Sequence, residues 1–262
     1  MQDNKMFSNK YKEFRQTLRL GFQLAKYSFK LRNEGSYLGI LWYLLNPAIL
    51  FSILLLIFSS RLGTGIPFYP VYLLMGIVMF NFFQNATVDS TNLVQDYGGV
   101  IKSLNFNKAS LVISNTLRTL FSHSFEVLLF VVIMIIFNAS FINIFWYFPV
   151  LIFFSIFILG FSFMLSSLSV FFVDLKNIWT FIVRIVWFAT PVFYSVNSNT
   201  TLFYLNLFNP LYYFITISRD LVIYSRIPAP WMVVVMIFYS LLFLAAGLFI
   251  FNKLKSKFGE LI

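Results

Sequence analysis

Six long apolar stretches, at roughly 38–60, 68–86, 117–137, 145–172, 178–195 and 231–251, occupy most of this 262-residue chain and carry very few charges. A run of about 20 apolar residues matches the hydrocarbon thickness of a bilayer, and lipid offers backbone N–H and C=O groups no partner outside a helix or a closed barrel. The chain is 60% hydrophobic with a mean hydropathy of +0.83. The expected fold class is therefore an all-α membrane protein with six transmembrane helices. The fourth stretch exceeds one crossing, which predicts a tilt or a protruding end. No stretch is long and mixed enough for a separate soluble domain, so 1–262 reads as one transmembrane domain.

Charge placement sets the expected orientation. Of the 19 Lys and Arg, only Arg61, Arg219 and Arg226 fall on one side of the predicted spans. The others lie in the N-terminal arm, in 87–118, in 173–184 and in the C-terminal tail. By the positive-inside rule these segments are cytoplasmic, and an even number of spans puts both termini there. The start, MQDNKMFSNK, lacks the apolar core and cleavage site of a signal peptide, so insertion is expected through the first span.

Between the spans, three segments have their own pattern. Residues 10–32 read as an amphipathic helix lying in the interface. Phe14, Leu18, Phe22, Ala25 and Phe29 follow one helical stride, and Arg15, Arg19, Gln23, Lys26 and Lys30 follow another. Its plain role is a surface anchor on anionic lipid; the sharper one is a collar that guides a ligand toward the first span. The polar loop 87–116 predicts a short helix from Leu93 to Phe106, interrupted by Gly98 and Gly99. Segment 200–230 is apolar but cut at Asn209-Pro210, and each half is too short to cross. It reads as re-entrant half-helices on the outer side.

Much chemistry is excluded. There is no cysteine, hence no disulfide or thiolate, and neither GxxxxGK[ST], HExxH nor GxSxG occurs. No catalytic or metal-ligating residue is assigned. Uphill transport would need a partner or an ion. Within the spans, Glu126 sits three residues after His123 and eight after Arg118. Buried ionisable groups there are costly, and two roles stand: an interhelical polar clamp or a proton relay. Arg184 reads either as a snorkelling arginine or as an attractor for an anionic headgroup. Trp42, Tyr43 and Asn46 sit near the start of the first span. Arg184, Trp187, Pro191 and Tyr194 follow a helical stride in the fifth. Such aromatics suit either an interfacial belt or a surface on which sugar rings stack.

The run Arg32-Asn33-Glu34-Gly35-Ser36-Tyr37-Leu38-Gly39-Ile40-Leu41-Trp42, continued by Leu45-Asn46-Pro47, resembles the first-span signature of polysaccharide-exporting ATP-binding-cassette permeases. These are the membrane subunits that export O-antigen, capsule or wall teichoic acid. Gly65-Ile66-Pro67-Phe68 to Gly76, Val170 to Asp174 through Thr190 to Tyr194, and Phe208-Asn209-Pro210-Leu211-Tyr212 resemble further family segments in the same order. The likeness runs collinearly over 30–258.

It implies a homodimer with two copies of a separate ATPase subunit, which would hold ATP and Mg. This chain would carry no cofactor, bind no nucleic acid, and sit multi-pass among the lipids of a bacterial plasma membrane. A lipid-linked glycan would pass along Trp42, Tyr43, Asn46, Arg184, Trp187, Phe188 and Tyr194, and leave past Asn209, Tyr212 and Tyr213. Lys26, Lys30 and Arg32 would receive its headgroup. Gln95, Asp96, Tyr97, Lys102, Asn105, Asp174 and Lys176 would meet the ATPase. One departure is Val173, where the family often has arginine. Competing readings are an exporter of small drugs or lipids, an ion-coupled transporter using His123 and Glu126, and an intramembrane enzyme.

Overall fold

The computed structural model describes residues 2–34, 37–104, 106–196 and 200–258, and among them it contains helices and no strand. In chain order these are α1 (Gln2–Asn33), α2 (Trp42–Phe58), α3 (Tyr69–Ser90), α4 (Leu93–Asp96), α5 (Gly98–Ser103), α6 (Ala109–Ile136), α7 (Tyr147–Leu168), α8 (Leu175–Ala189), α9 (Thr201–Leu207), α10 (Pro210–Val222) and α11 (Pro230–Leu254). Short 3-10 turns lead into α2 and α7.

Among the described residues, five helices are long and apolar enough to cross a bilayer: Gly39–Phe58, Tyr69–Ser90, Ala109–Ile136, Ile142–Leu168 and Pro230–Leu254. The fifth expected span differs. Its helix, α8, has 15 residues, about 22 Å at helical rise, and ends at Ala189 rather than at 195. Proline at 191 disfavours helical geometry in the residue before it, and Thr190 is extended. The third expected span starts eight residues early, at Ala109. Its added turns carry Ser110, Asn115 and Thr116, which are buried against neighbouring helices rather than placed in lipid.

Two opposite faces emerge from the long-range hydrogen bonds. At one, Ser28 meets the Tyr97 hydroxyl at 3.1 Å, Asn107 donates to Thr17 at 3.0 Å and Lys108 donates to the Lys255 carbonyl at 3.1 Å. The N-terminal helix, α4–α5 and the end of α11 are thus gathered on a basic face. At the other, the Tyr69 and Tyr72 hydroxyls donate to the carbonyls of Phe193 and Tyr194 at 3.0 and 2.8 Å. The grouping of loops matches the division read from the charges.

α3 is the central helix. Leu73, Leu74, Ile77 and Phe80 are fully buried, with α6, α7, α8 and α10 packed around them. α7 and α11 approach most closely. A Cβ on Gly247 would stand 2.2 Å from the Gly160 carbonyl oxygen, and one on Gly160 would stand 2.4 Å from the Phe243 backbone. Close small-residue contacts of this kind replace the hydrophobic drive that lipid removes. Gly247→Val is expected to lower stability by about 1–3 kcal/mol or more, because backbone cannot yield cheaply. Gly99→Ala, with nothing within 4 Å, is the neutral comparison. Melting of the two purified variants in one detergent checks this.

The amphipathic helix is longer than expected and packs differently. Thr17, Gly21 and Ala25 face α6, where a Cβ on Gly21 would lie 2.9 Å from Ile113. Phe14, Leu18 and Phe22 remain exposed beside that seam. Small residues let the two backbones approach, which leaves the aromatic stripe free to face lipid.

Candidate functional site

On the basic face, α4 and α5 form a small docked knob. Leu93, Val94 and Ile101 anchor it in an apolar cluster with Leu111, Phe163 and Phe251. Gln95, Asp96 and Lys102 point outward, and so do the apolar Val100 and Leu104. Tyr97 separates the two helices, one residue before the expected glycine break, and its hydroxyl meets Ser28 of α1. Asn105 lies outside the described residues. The turn between α7 and α8 is on the same face. It exposes Phe172, Val173, Asp174 and Lys176. The site residues expected to meet a partner are therefore grouped on one face, Asn105 aside. Val100, Leu104 and Phe172 are exposed apolar residues on that same face.

The expected headgroup residues are partly occupied. Arg32 pairs with Asp89 at 3.2 Å, and Lys30 lies 3.6 Å from Glu34; Lys26 is exposed. Asp89 also accepts from Arg118 at 2.8 Å. This carboxylate, unassigned from sequence, ties α1 and α6 to the end of α3.

α2 and α8 leave most of their surface uncovered in the single chain. α2 fully buries only Pro47 and Phe51, and α8 only Val183. Trp42, Asn46, Arg184 and Phe188 lie on these open surfaces. Two other path residues do not. Trp187 packs edge-on against Phe80 of α3 at 4.7 Å, and Tyr43 stacks with Phe29 and Phe125. The expected stride from Arg184 to Tyr194 stops with the helix at Ala189. Tyr194 folds back, its hydroxyl donating to the Ala189 carbonyl at 2.9 Å.

At the opposite end, α9 and α10 are a pair too short to cross. Asn209 caps α10 by accepting from the Leu211 N–H, and its amide donates to Thr190 at 2.8 Å. Tyr212 and Tyr213, expected at the exit, are buried instead. The Tyr213 hydroxyl donates to the Leu207 carbonyl at 2.8 Å. Arg219 lies in the middle of this region. Its guanidinium donates to the carbonyls of Tyr72, Pro191 and Val192, with the Tyr72 ring 3.3 Å from its centre. An arginine in an apolar half-helix was the signal that charge counting by side overlooked.

The model of the ABC-2 type transporter family matches residues 20–223, from the second half of α1 through α10. The chain belongs to the ABC-2 type transporter family. Like other members it is a multi-pass membrane protein and the transport component of its system. It is similar to the "O-antigen export system permease protein RfbA" of Klebsiella pneumoniae, 26% identical over 236 residues, which covers 89% of this chain and 91% of that protein. A protein of the same name from Myxococcus xanthus is 23% identical over 249 residues, covering 91% and 94%.

In this ABC-2 chain the intramembrane histidine and glutamate form a closed set. His123 Nδ1 is 3.2 Å from a Glu126 carboxylate oxygen, and Nε2 is 2.8 Å from the Tyr147 hydroxyl. Phe82 stacks on the imidazole at 4.6 Å. The set joins α3, α6 and α7, and both ring nitrogens are engaged inside the bundle. That geometry fits the clamp of the two roles open at the sequence level.

Proposed function

We propose that this chain is the permease subunit of an ATP-driven exporter that moves a lipid-linked polysaccharide outward across a bacterial inner membrane. Full-length likeness to permeases named for O-antigen export carries the reading, since it extends over about nine-tenths of the chain. The open surfaces of α2 and α8 support it. Two copies facing each other across these helices would enclose a path, with Trp42, Asn46, Arg184 and Phe188 along it. Hydroxyl-bearing sugar rings would slide over aromatic faces, and the arginine would attract an anionic linkage. Six passes follow if α8 and the non-helical residues 190–194 together complete the fifth. Both termini are then cytoplasmic, with the basic face inward.

Energy would come from a separate ATPase holding ATP and Mg, seated against α4–α5 and the α7–α8 turn. Closure of that subunit would push on the knob, and the knob's apolar anchor would pass the motion to α6, α7 and α11. Residues Asn209, Tyr212 and Tyr213 would shape the outer end by holding α9 and α10 rather than by touching the polymer.

Gentle detergent extraction of a tagged chain is expected to bring down a second subunit with vanadate-sensitive ATPase activity. Replacing Trp42 and Phe188 together by alanine is expected to cut surface polysaccharide at least tenfold while that complex still assembles. A chain that purifies alone and hydrolyses nothing, or a double variant with normal surface polymer, would refute the reading.

A further inference from the structure

A cleft that the proposed path does not use opens between α1, α6, α7 and α11. Two adjoining hollows, of about 610 and 560 Å³, share Glu13, Thr17 and Asn107. The outer hollow lies at the basic face and includes Lys108 and Lys255. The inner one is nearly all apolar, and neither α2 nor α8 lines it.

Helix direction gives the cleft its depth. α6 starts at the basic face, whereas α7 and α11 end there. The lining residues run from Ala109 to Leu120 on α6, from Phe163 back to Ser155 on α7 and from Leu248 back to Leu244 on α11. All three sets descend from the same face. The eight residue steps from Phe163 to Ser155 cover about 12 Å at helical rise. That is most of one leaflet's share, about 15 Å, of the hydrocarbon core, and it stops short of the other leaflet. The cleft has the form of a seat for one lipid, not of a passage.

Its mouth carries the matching charge. Lys108 donates to the Lys255 carbonyl at 3.1 Å and lies 5.6 Å from the Phe258 ring centre, so its ammonium is held at the rim. Lys255 donates to Asn252 at 2.8 Å. Glu13 stands on the α1 wall, which turns an anionic group toward the lysine side. We infer that this cleft seats an anionic phospholipid of the surrounding membrane, its acyl chain along α6, α7 and α11 and its phosphate between Lys108 and Lys255. A lipid there would fill the gap between the interfacial helix and the bundle. The inference does not depend on the exported substrate.

Native mass spectrometry of the full chain, with whatever subunit co-purifies, tests it. The probes are phosphatidylglycerol and phosphatidylcholine with identical acyl chains, and a polyprenyl phosphate as competitor. The wild type is expected to retain phosphatidylglycerol over phosphatidylcholine about fivefold or more, since each lysine near a membrane surface contributes a factor of that order. K108Q/K255Q should abolish the preference; Lys255 is exposed, Lys108 is half-buried and glutamine keeps a hydrogen-bonding side chain at both positions, so the melting temperature should shift no more than for a surface substitution. Leu159→Trp, which fills the cleft, should reduce retention of both lipids. Equal retention by the wild type, or a preference that survives K108Q/K255Q, would overturn the proposal even if the tryptophan variant failed to fold. Displacement of phosphatidylglycerol by the polyprenyl phosphate would overturn the choice of occupant.

Discussion

Arg219→Met is expected to be the most destabilising single substitution in the chain, by about 3–5 kcal/mol. Arg219 is 3% exposed, and its guanidinium makes four hydrogen bonds to three carbonyls. Those of Pro191 and Val192 belong to the unwound segment after α8, and among the described residues they accept no other protein bond. Removing the guanidinium strands them in an apolar region, and each unsatisfied buried carbonyl costs about 1–3 kcal/mol. The Tyr72 ring also loses the cation it faces at 3.3 Å. Arg219→Lys should fall between, because an ammonium cannot reach three carbonyls with one planar fork. The exposed Arg226 gives the control, and its alanine variant should melt like wild type. Gly76→Ala probes the same place from α3, where a Cβ would lie 2.6 Å from Arg219 Nη2 and 2.7 Å from the Val192 carbonyl oxygen. Size-exclusion melting of these variants in one detergent checks the order. A wild-type midpoint for Arg219→Met would mean that another group holds the segment.

The Arg219 clamp also shows where the sequence stopped being legible. Apolar run length located five crossing helices, because lipid enforces it locally. Charge counting grouped the loops on two faces. The Asn209-Pro210 break was readable as the start of α10, since a capping side chain followed by proline is a local signal. Burial was not local. The family resemblance implies Tyr212 and Tyr213 as exit residues, and packing within the bundle buries them. Trp187 read as part of an open stripe until Phe80 of the central helix covered it. α1 shows the same limit, because its contact seam follows the small residues Thr17, Gly21 and Ala25 and not the more prominent phenylalanines. A hydrophobic stripe marks a face, but only the neighbouring helix decides whether that face meets protein or lipid.

Val100→Asp with Leu104→Asp should then release the ATPase subunit. Both side chains are exposed, at 40% and 61%, on a knob whose own anchor is Leu93, Val94 and Ile101. The substitutions leave that anchor untouched, so the melting temperature should hold within the scatter of surface variants. Binding is another matter. Exposed apolar groups at the polar end of a membrane protein are the kind of anchor on which a few residues carry most of an interface's energy. Losing two of them and burying two carboxylates should cost at least about 2–4 kcal/mol of association, a fall in affinity on the order of 30-fold to 1,000-fold. Co-purification of the ATPase should drop to background, and surface polysaccharide with it. Asp96→Asn, which changes charge without touching the apolar rim, should cost far less. The comparison separates a hydrophobic seat from a purely electrostatic one. If the double aspartate variant kept its partner and Asp96→Asn lost it, the knob would bind through charge, and the Asp174 and Lys176 turn would become the next place to look for the apolar contact, at Phe172 and Val173.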